Sequence, residues 1–96
     1  MTTTNLAGVG PVLLPSEVGL AVLSAIQATN LDVRVQDRGA YLRVLAQSRC
    51  VVTRQGIEAA LGRPVRLPSD LELCMPSFKG TLRVDAERAV WEASPP

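Results

Sequence analysis

The chain has 96 residues, ten Lys and Arg against nine Asp and Glu, no His, and a net charge of +1. Without His there is no imidazole base, no His-containing catalytic triad and no His-ligated metal. A near-neutral charge with one Trp, one Tyr and one Phe argues against nucleic-acid binding, which needs a basic face and stacking aromatics.

At 47% hydrophobic and 20% charged residues, the composition is that of an ordinary globular domain. A chain of this length buries only about 60–65% of its unfolded surface, so its reserve of stability is modest. No apolar run approaches the roughly 18 residues of a membrane span. Met1-Thr2-Thr3-Thr4-Asn5 lacks the basic start and apolar stretch of a secretory leader, so a cytoplasmic protein is expected. Cys50 and Cys74 fit no metal-ligand spacing and read as free thiols in the core.

Residues 1–8 read as a flexible tail, 9–92 as a single domain and 93–96 as a frayed end. Val9 to Leu14 is a short apolar strand, and Pro11 suits its start or a sheet edge. Ser16 caps a helix with Glu17 in its first turn. Val18, Val22, Ala25, Ile26 and Thr29 form its buried stripe, Leu20 and Leu23 widen the apolar arc, and Asn30 stops it. Two alternating strands follow, Asp32 to Asp37 and Ala40 to Ala46, joined by a turn at Asp37-Arg38-Gly39. After Gln47-Ser48 a third strand runs from Arg49 to Val52. Thr53 caps a second helix with Ile57, Ala60 and Leu61 inward, ended by Gly62 and Pro64. Ser69 caps one or two further helical turns that Pro76 ends. Ser77-Phe78-Lys79-Gly80 reads as a bend, with Phe78 either a core plug or part of a recognition surface, and Thr81–Val84 and Ala89–Trp91 as a closing hairpin around Asp85-Ala86-Glu87.

The order β-α-β-β-β-α-(α)-β-β implies a small compact α+β domain: a mostly antiparallel sheet with two main helices and one short helical segment against one face. Gly8-Val9-Gly10-Pro11 is followed by a strand, so it lacks the helix N-terminus that a phosphate cradle needs. Asp70 and Glu72 diverge by about 200° on a helix and make a poor acid–base pair. Arg34, Arg43, Arg49 and Arg83 all fall on strands. They form either a wet sheet face or a docking face, since Arg is enriched at interfaces. From the residues alone the chain is a cofactor-free, non-catalytic binding module. The alternatives are a generic protein-interaction module and a small enzyme with Cys74 as nucleophile.

Five stretches occur in order: Val9-Gly10-Pro11-Val12, Asp37 to Val44, Ile57 to Pro64, Asp70-Leu71-Glu72-Leu73 and Ser77-Phe78-Lys79-Gly80. Together they resemble the regulatory, or effector, proteins of soluble bacterial di-iron monooxygenases. That family includes methane monooxygenase component B and the effectors of phenol, toluene and alkene monooxygenases. The resemblance implies a cytoplasmic, cofactor-free coupling protein for hydrocarbon oxidation. Its partner would be a di-iron hydroxylase served by a reductase and, in many systems, a Rieske ferredoxin. The short tail resembles aromatic and alkene systems more than the methane one. The docking set expected on this resemblance is Asn5, Val9, Arg43, Leu71, Cys74, Met75, Pro76, Ser77, Phe78 and Lys79, and the chain departs from the family pattern at Val65, Cys74 and Lys79.

Overall fold

The computed structural model describes residues 8–93. The elements run β1 (Gly10–Leu13), α1 (Glu17–Thr29), β2 (Arg34–Asp37), β3 (Leu42–Leu45), β4 (Arg49–Thr53), α2 (Arg54–Leu61), α3 (Ser69–Cys74), β5 (Ser77–Lys79), β6 (Thr81–Val84) and β7 (Arg88–Glu92). The α+β class and the antiparallel pairing are as expected. The strands, however, make two sheets rather than one: a four-stranded sheet in the order β2-β3-β1-β5 and a three-stranded sheet in the order β4-β7-β6.

Two tight links carry the chain between the sheets. Gln47 and Ser48 follow the Val9–Ala46 bridge, whose two N–H···O bonds are each 2.8 Å, and lead from β3 into β4. Gly80 alone joins β5 to β6. Its φ is +98°, and a Cβ there would stand 2.6 Å from the Glu92 carbonyl oxygen and 2.8 Å from Val9 Cγ1. Only glycine takes this corner without strain.

β5 is the strand the sequence reading took for a bend. It pairs with β1 through Gly10–Lys79, Pro11–Phe78 and Val12–Ser77, which makes β1 an inner strand, so Pro11 sits near a strand start and not at a sheet edge. The β1–β3 ladder is regular at Val12–Arg43 and Leu13–Leu42. In the same register Pro11 falls opposite Val44, where it has no N–H to give. The ladder resumes only at the Val9–Ala46 bridge.

α1 starts where Ser16 Oγ accepts the Gly19 N–H at 3.1 Å. Ala21, Val22, Ala25 and Ile26 are buried, whereas Leu20 is 49% exposed and Thr29 faces out. The buried stripe is therefore narrower than the sequence suggested. Asn30 caps the helix and also reaches β4: Nδ2 donates to the Ile26 and Val51 carbonyls, and Oδ1 accepts the Val51 N–H at 3.0 Å. In α2, Thr53 Oγ1 accepts the Gly56 N–H at 3.0 Å, and Gly62 ends the helix in the left-handed conformation. Ile57 is buried, but Ala60 is exposed, because a helix this short buries one narrow line of side chains. α3 lacks the expected Ser69 cap. Pro68 holds that position, and the Asp70 carboxylate accepts the Arg66 N–H at 2.7 Å.

The core gathers Leu13, Val22, Ile26, Val44, Val52, Ile57, Leu71 and Trp91 between the helices and the two sheets. Burying each such side chain favours folding by about 1.5–3 kcal/mol. Cys50 and Cys74 are free and buried among them.

Candidate docking surface

Alternation along the four-stranded sheet decides which side chains it shows. Leu13, Leu42 and Val44 turn into the core, so the residues between them form the outer face. The register lines up Gln36, Arg43, Val12 and Ser77 in one row across the strands. The next row carries Arg34 and Leu45 from β2 and β3, with Gly10 and Lys79 from β1 and β5. Arg43 is half-buried in this face, and its Nε is covered with no hydrogen-bond partner among the described residues. An enclosed donor left unpaired in this way costs stability.

Beside this face lies an apolar margin. Leu14, 39% exposed, donates its N–H to the Cys74 carbonyl at 2.8 Å, which ties the end of β1 to the end of α3. Leu73 stands next to that bond and is 79% exposed; Phe78, on the edge strand opposite Pro11, is 43% exposed. Exposed apolar patches mark protein contact sites, and these three are among the exposed large hydrophobic residues of the described chain. Of the two readings of Phe78, its exposure rules out the core plug.

The residues singled out from sequence divide into two groups. Arg43, Pro76, Ser77, Phe78 and Lys79 reach the surface. The register brings Arg43, Ser77 and Lys79 onto the outer face and turns Phe78 to the other side at the edge. Val9, Leu71, Cys74 and Met75 are buried, so they shape this surface from beneath and present no side chain to a partner. Asn5 lies outside the described residues. The strand arginines do not share a face: Arg34 and Arg43 lie on the four-stranded sheet, Arg49 and Arg83 on the three-stranded one.

Leu14 and Leu73 were missed. A signal for Leu73 was present: Leu71 and Leu73 are two apart on a helix and diverge by about 200°, so burying one exposes the other.

Neither thiol is poised for chemistry. Burial pushes the Cys50 thiol up to about 12. Cys74 is raised as well, by burial first and by the Asp70 charge to a smaller degree, and its Sγ–H points to the Leu71 carbonyl. A nucleophilic cysteine needs the opposite shift and an open approach, so the Cys74 enzyme reading fails. Among the described residues no group of three His, Cys, Asp or Glu is placed to hold a metal ion.

The chain is also similar to known proteins in sequence and in fold. The model of the MmoB/DmpM family matches residues 7–92. The chain is 38% identical over 85 residues to the effector subunit of the alkene monooxygenase system of Xanthobacter autotrophicus, covering 86% of this chain and 83% of that protein. Its fold is similar to that of a chain in a structure of the phenol hydroxylase–regulatory protein complex, with a TM-score of 0.78 at 23% identity over 88% of this chain and 95% of that one. It is also similar to the soluble methane monooxygenase regulatory protein B, with a TM-score of 0.68 at 21% identity over 98% of this chain and 70% of that one.

Proposed function

The chain belongs to the MmoB/DmpM family, and from that premise we propose that it is the cofactor-free effector of a multicomponent monooxygenase. It binds the hydroxylase component and couples electron and oxygen use to hydrocarbon oxidation, with no turnover of its own. The observation that carries this reading is the 38% identity to an alkene monooxygenase effector subunit across 86% of the chain. The finer assignment is to an alkene- or aromatic-type system with a di-iron hydroxylase and a reductase. We place the protein in the cytoplasm, where Cys50 and Cys74, free and buried, suit a reducing compartment.

The docking surface we assign is the outer face of the four-stranded sheet with its apolar margin: Arg43, Ser77, Lys79, Leu14, Leu73 and Phe78. It joins exposed apolar side chains to the half-buried guanidinium of Arg43, and apolar and Arg anchors that become buried on docking dominate contact energies at protein interfaces. Regulation through such a surface requires tighter binding to one hydroxylase conformation than to another, because equal affinity for both shifts nothing.

Turnover of purified hydroxylase and reductase, with and without this protein, tests the proposal. The expected result is a higher yield of oxidised hydrocarbon per NADH when the protein is added. An unchanged yield, with no complex detected by gel filtration, would overturn it.

A further inference from the structure

The three-stranded sheet has an outer face of its own, and its chemistry differs from that of the docking surface. Outward positions along β4, β7 and β6 carry Arg49, Arg88, Glu92, Thr81 and Arg83 around a centre of Val51 and Val90. Arg49, Arg83 and Arg88 line a shallow cleft over Val90, with Asp85 and Glu92 as its only carboxylates among the described residues. Val90 is only 7% exposed, so the floor is apolar and well covered.

The charges here are incompletely paired. Arg49 and Arg83 share one acid, Glu92, at 3.6 and 3.9 Å, both beyond hydrogen-bond reach. Arg88 has no ion pair within 4 Å among the described residues, although the Asp85 pKa is lowered by the Glu87 and Arg88 backbone hydrogen bonds to its carboxylate and, behind them, by the Arg88 charge. Two arginines elsewhere pair more closely: Arg54 lies 2.9 Å from Glu87 and 3.1 Å from Glu58, and Arg63 lies 2.8 Å from Glu17. The sheet arginines thus keep most of their N–H donors unspent, and the Arg83 side chain is 79% exposed. Each guanidinium can take a carboxylate through two parallel bonds.

We propose that this face is a second interaction surface, separate from the hydroxylase-docking one, and that its occupant is an acidic protein segment whose carboxylates engage Arg49, Arg83 and Arg88 over the Val90 floor. Charge complementarity selects this occupant, since three guanidiniums meet two carboxylates, one of them shared. The inference does not depend on the hydroxylase-docking reading.

The probe is a hexaglutamate peptide titrated into the isotopically labelled full chain at low salt, followed by amide chemical shifts. Shifts centred on Arg49, Arg83, Arg88 and Val90 are expected. The affinity should fall about tenfold or more in the Arg83→Glu/Arg88→Glu double variant, and steeply with added salt. Both substitutions are at exposed positions, and an unchanged spectrum elsewhere confirms that the variant is folded. Inorganic phosphate and hexalysine serve as controls. Three outcomes would each overturn the proposal: no shift at these amides, an equal response to phosphate alone (a small-anion site), or shifts confined to the four-stranded sheet.

Discussion

Asn30 ends α1 and at the same time pairs with β4 as a strand residue would, giving both a donor and an acceptor to Val51 while holding the last turn through Ile26. Removing its amide in Asn30→Ala strands the Val51 N–H and C=O in a half-buried place. Each orphaned group costs about 1–3 kcal/mol, so a urea melt of this variant should show a stability loss of about that size, with the fold otherwise kept. Cys50 supplies a pH signature. Its thiol ionises near 9.0 in the unfolded chain and is held up to about 12 in the fold. The folded protein therefore keeps a proton that the unfolded chain releases. Stability is unaffected below pH 9 and falls as the pH rises toward 12, by up to about 1.4 kcal/mol per unit. Denaturation midpoints measured across that window should decline in the native sequence and decline less steeply in Cys50→Ala, where the raised Cys74 thiol still contributes.

At the scale of elements, α2 and the loop after it are held by a small polar network. Arg54 bridges Glu58 and Glu87, and the Glu58 carboxylate accepts the Val65 N–H at 3.0 Å. That backbone bond, more than Arg54, lowers the Glu58 pKa. A carboxyl group lowered in the fold stabilises above its unfolded pKa, and the effect is lost as the pH falls through the folded value. The Val65 amide should accordingly lose protection from hydrogen exchange on acidification, before the amides of Ile26 or Val52 do, and Glu58→Ala should abolish that protection at neutral pH.

The same scale shows what could be read from the sequence. α1 was legible because Ser16, the Val22–Ala25–Ile26 stripe and Asn30 are all local signals. β5 was not: three residues between Pro76 and Gly80 look like a bend, and only a distant partner, β1, makes them a strand. The split into two sheets escaped for a related reason. The links at Gln47-Ser48 and Gly80 look like hairpin turns, and nothing local distinguishes a turn within a sheet from a corner between sheets. Of the site, the surface run Pro76 to Lys79 was legible by resemblance to a family, whereas the inward turn of Leu71, Cys74 and Met75 depends on packing that a linear reading does not contain.

For the whole molecule, folding and docking should come apart under mutation. Phe78 and Leu73 are 43% and 79% exposed, so Phe78→Ala and Leu73→Ser should leave circular dichroism and melting temperature nearly unchanged. Each should weaken hydroxylase binding about tenfold, equivalent to roughly 1.4 kcal/mol. Trimming a core residue should do the reverse: Leu71→Ala, at a position 1% exposed, should cost about 2–5 kcal/mol of stability, with any loss of coupling following from unfolding. Calorimetry beside a binding titration separates the two classes.

Trp91, the chain's single tryptophan, sits in β7 between Cys50 and Leu82, fully enclosed. Its fluorescence originates in the core that the helices share with both sheets, with no surface of its own for a docked protein to touch. Emission should remain blue and unmoved when the hydroxylase is added, and should shift red only when the sheet itself opens. The protein thus carries a built-in optical gauge of its own integrity that is blind to its encounters, and affinity will have to be read from a dye or an isotope placed near Leu73.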